Sequence, residues 1–278
     1  MNLALLWLLR LRTSVVKSVS ILGPLIGLAF AAGASGQACA QSDGSVSILV
    51  YHRFDPAASG STTVTIETFE AQLDWLDTHD VAILPMRAAL DRLASSNGRS
   101  PAAAVITVDD GNRSVYTTLY PLILKRRIPV TLFVYPSAIS NAAYALTWDQ
   151  LREMEASGLV DVESHTYWHP NFKTERRRRT PEDYRVFVDR QLRRSRQMLE
   201  TRLSKPVDML AWPFGIADAD LETAAKAAGY HYAFIYEGGA AKSGQDLFAL
   251  PRVPVSNDDR ADRFRSLLGA SADRKSIE

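Results

Sequence analysis

The stretch AAVITVDDG at residues 103–111 decides the fold, because it joins a continuous apolar run to a pair of carboxylates. A run of alanine and β-branched residues is typical of a strand buried on both faces, and such strands form parallel sheets covered by helices. The sequence Asp109-Asp110-Gly111 is by itself a common turn. Directly after a buried strand, however, at least one of the two carboxylates should be partly buried and should need a partner.

Strands and helices alternate on both sides of this stretch. Further strands are predicted at 46–52, 81–85, 129–135, 159–165, 208–214, 231–236 and 248–255. Helices are predicted at 66–77, 86–94, from about 114, at 147–158, from 180 onward and at 218–229. This order predicts an α/β fold, a single-domain distorted (β/α)7-8 barrel, with a doubly wound open sheet as the alternative. In either fold, chemistry collects at the carboxyl ends of the strands.

The first forty residues have the features of an export signal. A basic leader precedes the apolar run at 21–32, and Ala38-Cys39-Ala40 has the small-x-small form of a cleavage site. We expect a signal peptide at 1–40 and a mature domain at 41–278, exported to the periplasm or secreted. An uncleaved membrane anchor is the minor alternative, and lipidation of Cys39 is a third.

The composition excludes several classes of protein. Cys39 is the only cysteine and lies in the leader, so residues 41–278 offer no disulfide, thiolate nucleophile or cysteine metal site. The leader carries three basic and no acidic residues, which changes the formal charge from +1 for the whole chain to −2 for residues 41–278. No nucleic-acid partner is expected from this balance. The absence of G-x-S-x-G and H-E-x-x-H sequences counts against a serine esterase and against the common zinc proteases.

Polar residues stand where the predicted strands end. His52 follows the first strand, the paired aspartates follow the third, His165 follows the fifth, and the sequence WPFG at 212–215 follows the sixth. A turn closed by Pro170 would bring His169 back to the same rim. Two imidazoles and one carboxylate are a recurrent ligand set for first-row metals, and a spare aspartate could act as general base.

Two other groups of residues are less promising. His79 lies at a polar helix end and is expected to be exposed. The basic run at 176–179 precedes a helix cap, and such runs are usually solvated, although an anionic glycan or lipid is an alternative ligand.

Three motifs resemble those of the polysaccharide deacetylases, carbohydrate esterase family four, also called the NodB-homology fold. The sequence TVDDG at 107–111 resembles T-F-D-D-G, HTYWH at 165–169 resembles H-[ST]-x-x-H, and WPFG resembles the family's Arg-x-Pro-Tyr motif. The sequences ILVYHRF and LPRVPV look like the branch that deacetylates poly-β-1,6-N-acetylglucosamine in biofilm matrices. The likeness runs from about Ser47 to Val255.

The resemblance assigns roles to individual residues. It implies that Asp110, His165 and His169 hold a divalent metal and that Asp109 is the base that activates water. The backbone N–H of Phe214 would help hold the oxyanion. Trp212, in the place of the motif's arginine, is assigned with Phe214 to the oxyanion and substrate side of the site.

The chain departs from the family pattern in two places. The arginine that supports the catalytic aspartate is missing from the third motif, and Arg252 in the last predicted strand is the proposed replacement. The late Leu-x-His motif that provides the general acid is also missing. His231 begins a predicted strand and is therefore at the wrong end of a barrel, whereas His52 ends one. His52 is the proposed acid, with a structural core histidine as the alternative.

These patterns support three hypotheses. The first is a metal-dependent N-deacetylase of an exported N-acetylglucosamine polymer, which would associate with an exopolysaccharide export apparatus. The second is a non-catalytic glycan-binding protein, and the third is an O-acetyl esterase acting on xylan or another glycan. Zn²⁺ is the expected metal, with Co²⁺, Ni²⁺ or Fe²⁺ also suited to the ligand types.

Overall fold

The computed structural model describes residues 41–42, 44–57, 60–95 and 100–268. The predicted signal peptide at 1–40 lies outside the described residues. The described residues belong to one compact unit. None of the helices described is both long enough and apolar enough to cross a membrane.

Twelve strands are present among the described residues, and eight of them form the main sheet. Their bounds are β1 (Gln41–Ser42), β2 (Val46–Tyr51), β3 (Arg53–Phe54), β4 (Thr63–Val64), β5 (Ala82–Ile83), β6 (Ser100–Pro101), β7 (Ala103–Asp110), β8 (Val130–Val134), β9 (Val160–Ser164), β10 (Met209–Ala211), β11 (Tyr232–Phe234) and β12 (Val253–Pro254).

Eight α-helices accompany these strands in the described part of the chain. They are α1 (Ile66–Thr78), α2 (Met86–Ser95), α3 (Tyr120–Arg126), α4 (Trp148–Ala156), α5 (Phe172–Arg177), α6 (Pro181–Leu203), α7 (Ala219–Ala227) and α8 (Ala261–Leu267). A π-helical stretch, Val115–Leu119, leads into α3, and a 3-10 turn, Pro213–Gly215, follows β10.

The main sheet is parallel, with the strand order β11-β10-β9-β8-β7-β2-β12, and β5 pairs with the start of β7. The chain segment 247–255 closes this sheet. On one side, the amide of Leu250 donates to the carbonyl of Ala233 in β11, and the carbonyl of Leu250 accepts from the amide of Ile235, the residue after β11. On the other side β12 pairs with β2 at Val253↔Leu49. The sheet is therefore a distorted barrel, as predicted, and the open doubly wound alternative is wrong.

Apolar side chains fill both surfaces of the barrel wall. Inside, Val46, Ile48 and Val105 pack with Phe133 in a cluster that also contains Leu90 of α2. Outside, the opposite faces of the same strands pack against the surrounding helices. Burial on both faces explains why these strands read as continuous apolar runs.

The helix caps agree closely with the sequence. Thr147 and Gln150 form a capping box at the start of α4, and Thr180 caps α6 with Pro181 at its first turn. The helix predicted from 114 begins instead as a π-helical stretch. Pro121 lacks an N–H, so it cannot continue the regular ladder, and the amide of Tyr120 bonds to Val115.

Several predicted strands are shorter in the structure. The strand predicted at 81–85 has only two residues, β5, because Pro85 ends it and α2 begins at the next residue. The strand predicted at 248–255 contains only β12, although its earlier residues bond to β11 as described above. The short helix α5 and the final helix α8 were not predicted.

Candidate active site

The strand register brings the predicted site residues to one rim. Asp110 pairs with Val134, which pairs in turn with Ser164, so β7, β8 and β9 end at the same level. His165 follows β9 directly, and its amide bonds to the carbonyl of Val134 at 2.8 Å. The carboxylates of β7 and the first histidine therefore meet at the carboxyl end of the barrel.

Asp109 is buried inside the barrel and forms an ion pair with Arg252. Two guanidinium nitrogens donate to its two carboxylate oxygens, each at 2.8 Å, and both side chains are almost wholly buried. Arg252 also donates to the carbonyl of Ile235 at 3.2 Å. A forked guanidinium that meets both oxygens fixes the orientation of the carboxylate as well as its charge.

The ion pair keeps Asp109 ionised. Burial is the largest influence and raises the pKa of this carboxyl, but the charge and hydrogen bonds of Arg252, with smaller contributions from His165 and His52, together outweigh it, and the pKa falls to about 2. Asp110 differs, because burial raises its pKa above the usual value. Asp109 is thus paired with a cation, whereas the neighbouring Asp110 is not.

Three potential ligand atoms from Asp110, His165 and His169 lie within 4.8 Å of one another. The Nε2 atoms of both imidazoles are 3.7 Å from Oδ1 of Asp110. The Nε2 atom of His165 is also 3.8 Å from Oδ2 of Asp109. The structure therefore brings together the three residues predicted to hold a metal.

The surroundings of both histidines favour the neutral form of the imidazole. Nδ1 of His165 donates to the carbonyl of Ala211 at 2.8 Å, which leaves the lone pair of Nε2 directed at the cluster. Burial lowers the pKa of His165 to about 3 and also lowers the pKa of His169. Neutral imidazole is the form that binds metal ions.

Backbone strain is concentrated at this rim. Asp110, Thr166, His169 and Phe214 all have positive φ, between 58° and 74°. Such residues cost about 1–3 kcal/mol each and persist only where surrounding contacts enforce them. Two of these strained residues, Asp110 and His169, belong to the candidate ligand cluster.

Hydrogen bonds enforce the turn between the two histidines. The hydroxyl of Ser195 donates to the carbonyl of Thr166 at 3.0 Å, and the amide of Thr166 donates to the hydroxyl of Ser164 at 3.2 Å. The amide of His169 bonds to the hydroxyl of Thr166 at 3.3 Å. These bonds turn the chain so that both imidazoles face Asp110.

A glycine is required in the third motif. Gly215 has φ 66°, and a Cβ atom there would lie 2.6 Å from the backbone nitrogen of Tyr236. A side chain would therefore push the Pro213–Gly215 turn away from the rim.

His52, the predicted general acid, lies at the same rim. It follows β2, is half-buried, and its ring meets that of Tyr236 edge-on at 5.6 Å. Burial is the largest influence on the pKa values of Asp109 and Asp110, and positive charge on His52 acts against it on both. His52 is thus within electrostatic reach of both carboxylates.

Phe214 and Trp212, the two residues predicted from the third motif, differ in solvent exposure. Phe214 is exposed at the rim, and its ring lies 4.7 Å from that of His169. Trp212 is fully buried, packs edge-on against Phe172, and donates its indole N–H to the carbonyl of Phe248 at 2.9 Å. The side chain of Trp212 is therefore part of the barrel wall and is not exposed at the rim, so its assignment to the substrate side stays a prediction.

Sequence reasoning missed three tyrosines at this rim. Tyr135 follows β8, with its ring 5.5 Å from that of His169, and its hydroxyl is 2.7 Å from that of Tyr144. Tyr236 lies beyond β11, next to His52. Tyr135 and Tyr236 stand at the ends of predicted strands, so the rule that located His52 could have located them as well.

The other singled-out residues lie elsewhere. The ring of His79 stacks on Trp75, and exposed His231 contacts Asp208. In the basic run, Arg176 pairs with Asp218 and Asp220, while Arg179 pairs with Glu175. These arginines are engaged in ion pairs on the outside of the barrel.

Comparison with known proteins agrees with this geometry. The model of the polysaccharide deacetylase family matches residues 96–233, which include both aspartates and both histidines of the candidate metal site. A curated relative, the poly-beta-1,6-N-acetyl-D-glucosamine N-deacetylase of Staphylococcus epidermidis, is 28% identical over 201 residues, which are 70% of this chain and 69% of the relative.

Two solved structures share the fold. The first is IcaB from Ammonifex degensii, with a TM-score of 0.72, 24% identity and coverage of 84% of this chain and 99% of that one. The second is the deacetylase PplD of Streptococcus pyogenes, with a TM-score of 0.72, 19% identity and coverage of 82% and 99%. The chain belongs to the polysaccharide deacetylase family and is therefore an enzyme of the deacetylase class.

The cluster of Asp110, His165 and His169 suits a divalent cation. It offers two neutral nitrogen ligands and one oxygen ligand, and the second nitrogen of His165 is fixed by a carbonyl, as metal-binding histidines commonly require. Three protein ligands leave coordination positions open, which is typical of catalytic rather than structural sites.

Proposed function

We propose that this protein is a metal-dependent N-deacetylase of an N-acetylglucosamine polysaccharide. The observation that carries the proposal is the contrast between the two aspartates. Asp109 is locked by Arg252 beside a cluster of three potential ligands, Asp110, His165 and His169. A fixed carboxylate base beside a three-ligand site is an arrangement suited to metal-assisted hydrolysis of an unactivated amide.

Asp110, His165 and His169 would hold the cation, and Zn²⁺ is the ion proposed, with Co²⁺, Ni²⁺ and Fe²⁺ also suited to these ligands. When bound, the cation would supply Lewis acidity, activating water for attack and polarising the acetyl oxygen. His165 and His169 contribute as neutral ligands because burial disfavours their charged forms.

Asp109 would take the proton from the attacking water. It is ionised because Arg252 opposes the effect of burial on its pKa. The same ion pair keeps the carboxylate from rotating, so its lone pairs stay directed at one position. General bases of this kind contribute about 10²- to 10⁴-fold to the rate.

His52 would give a proton to the departing nitrogen, since an amide anion is a very poor leaving group. It stands at the end of β2 on the same rim as Asp109. The backbone N–H of Phe214 would donate to the oxyanion. This role depends on main chain, so an exposed phenylalanine side chain at that position is compatible with it.

The polymer proposed is poly-β-1,6-N-acetylglucosamine or a close analogue. The name of the Staphylococcus epidermidis relative supports this choice, as does the resemblance of the sequences around His52 and Arg252 to the same branch. The leader at 1–40 supports export to the periplasm or the medium, where the enzyme would meet the polymer beside an exopolysaccharide export apparatus.

The test is a glycan panel assayed for free amine and for acetate, with chelation and metal add-back. Amine release from N-acetylglucosamine oligomers, lost on chelation and restored by Zn²⁺ or another first-row cation, is the expected result. Acetate from acetylxylan without any amine would identify an O-acetyl esterase instead. Binding of glycans without release of either product would identify a non-catalytic glycan-binding protein.

A further inference from the structure

The exposed aromatic side chains of the described residues are concentrated at the active-site rim. Tyr144, Trp168 and Phe214 are 48%, 42% and 60% exposed, and every other phenylalanine, tyrosine and tryptophan side chain described is more buried. Phe214 contacts the ring of His169, whereas Tyr144 and Trp168 line a cleft on another side of the same histidine. Exposed apolar groups gathered in one place are characteristic of a binding surface.

The cleft that contains Tyr144 and Trp168 shares His169 with the candidate metal site. We call it the aromatic cleft, and its main lining residues are Tyr135, Ser137, Asn141, Tyr144, Trp168 and His169. Its volume is about 450 Å³, which lies in the range of small-ligand sites. His169 belongs to both the cleft and the ligand cluster, so a ligand in the cleft would lie directly beside the reaction centre.

The walls of the aromatic cleft are anchored to the catalytic loops. The amide of Arg113, two residues after Gly111, donates to the carbonyl of Tyr144 at 2.7 Å. The amide of Trp168 donates to the side chain of Gln191 at 3.2 Å, and its ring rests edge-on against Phe187. A ligand would meet surfaces that are already in place, so little ordering would be required on binding.

The lining has a chemistry suited to a neutral sugar. Apart from His169, every lining residue is uncharged, and tyrosine hydroxyls, Ser137 and Asn141 provide hydrogen-bonding groups beside the rings. The axial C–H groups of a β-linked pyranose form an apolar face that packs on an aromatic ring, while its equatorial hydroxyls meet polar groups around the edge. An anionic ligand would find no guanidinium or ammonium group in this lining.

We propose that the aromatic cleft is a sugar subsite, which binds the residue of the glycan chain next to the one that is deacetylated, with Trp168 as the stacking platform. This inference rests on the proposed function and adds to it a preference for chains over single sugars. Trp168 lies between the two histidine ligands in the sequence, so the loop that positions the metal also positions the platform.

The experiment compares the metal-loaded wild type with Trp168→Ala, Tyr144→Phe and Leu124→Ala. Leu124 is similarly exposed but lies on α3, outside the cleft lining, and serves as the matched control. Each protein is assayed for kcat/KM on an N-acetylglucosamine pentamer and on an aryl acetate too small to reach the cleft. Trp168→Ala should lower the pentamer-to-acetate ratio by about tenfold, mainly through KM.

Tyr144→Phe keeps the ring and removes the hydroxyl that contacts Tyr135, so it should lower the ratio by a smaller factor. Leu124→Ala should leave the ratio at the wild-type value. An unchanged ratio in Trp168→Ala, with the wild type active on the pentamer, would overturn the subsite while the proposed function stands.

Calorimetric titration of the pentamer into metal-loaded Asp109→Asn, with and without Trp168→Ala, separates the two proposals. Weaker binding when Trp168 is replaced supports the subsite even if the wild type releases no amine, in which case only the proposed function fails. Equal affinity in both proteins, or no binding in either, overturns the subsite.

Discussion

Two groups of charged residues, each built around a buried carboxylate, differ in how their charges are balanced. The upper group is the rim site of Asp109, Asp110, His165, His169 and Arg252. The lower group lies where β10 begins, and its members are Arg87, Glu155, Asp161, Glu163, Lys205 and Asp208.

Every oxygen of the central carboxylate in the lower group is satisfied by the protein. Arg87 donates to one oxygen of Glu163 at 2.8 Å, and the amides of Asp208 and Met209 donate to the other at 3.1 and 2.9 Å. Lys205 bridges Glu163, Asp161 and Glu155. The central carboxylate of this group is therefore held by donors of the protein itself.

The upper group is only half balanced. Asp109 has Arg252, but within ion-pair distance Asp110 meets only the two imidazoles among the described residues. Because burial favours their neutral forms, these imidazoles cannot balance its charge. The lower group therefore surrounds its central carboxylate with fixed donors, whereas at the rim the carboxylate of Asp110 faces neutral imidazoles, which is the environment that a metal ligand needs.

The largest effect is expected from replacing each of the paired aspartates in turn. Asp109→Asn should retain metal and lose about 10²- to 10⁴-fold in kcat, because an amide cannot accept the proton from water. Asp110→Asn should instead weaken metal binding, measured by metal analysis after dialysis. His165→Ala should resemble Asp110→Asn. The reverse pattern, with metal lost from Asp109→Asn and retained in Asp110→Asn, would exchange the assigned roles.

His52→Ala should come next, with a loss of about 10²-fold on an N-acetylated oligomer. The loss should be smaller on an aryl acetate, whose leaving group departs without a proton. Metal content and thermal stability are measured alongside. Equal losses on both substrates would indicate a positional role, and an unaffected amide rate would remove His52 from the mechanism.

The substitution Glu163→Gln changes the lower group and should decrease the free energy of unfolding. Replacing one accepting oxygen with an amide nitrogen breaks contacts with Arg87 and Lys205 or with two backbone amides, at a cost of about 2 kcal/mol in the free energy of unfolding. Denaturant titration measures this cost. Glu182→Gln, an exposed ion-pair control on α6, should change stability by less than about 0.5 kcal/mol. Loss of metal binding in Glu163→Gln without loss of stability would contradict the distinction between the two groups.

The smallest effect is expected from Arg252→Lys. In the wild type the pKa of Asp109 is about 2, so its base form persists as the pH falls towards that value. A lysine cannot meet both carboxylate oxygens, so burial would raise the pKa and the acid limb of kcat/KM would move upward by about one pH unit. Profiles at saturating metal test this shift, with Arg263→Lys on the surface as control. Coincident acid limbs would show that Arg252 does not set the ionisation of Asp109.

The sequence was most informative where structure is local. The strand at 103–110 has the predicted bounds, and the cap residues Thr147 and Thr180 begin their helices as expected. Short-range features of this kind depend on periodicity and on hydrogen bonds between near neighbours, which a single sequence displays directly. The spacing of His165 and His169 was equally informative, although Ser195 and Gln191 of α6 help the local hydroxyls to hold the turn between them.

Sequence reasoning was weaker where accessibility decides the role. Trp212 follows a strand, as His52 does, yet its side chain is buried in the barrel wall and its indole N–H donates to the carbonyl of Phe248. A one-residue difference in register places a side chain inside, outside or at the rim of the barrel. Strand ends identify the rim but not which way each side chain points.

The amino-acid order alone determined the parallel α/β architecture and the residues that could hold a metal. Burial on both faces and the spacing of ligands are properties of short segments, and both are visible in the sequence. Only the tertiary structure decided that Arg252 meets Asp109 across 143 residues and that Tyr144 and Trp168 share one cleft. These contacts arise when the segment at 247–255 closes the barrel and when loops from different strands converge at its rim, and no local pattern encodes them.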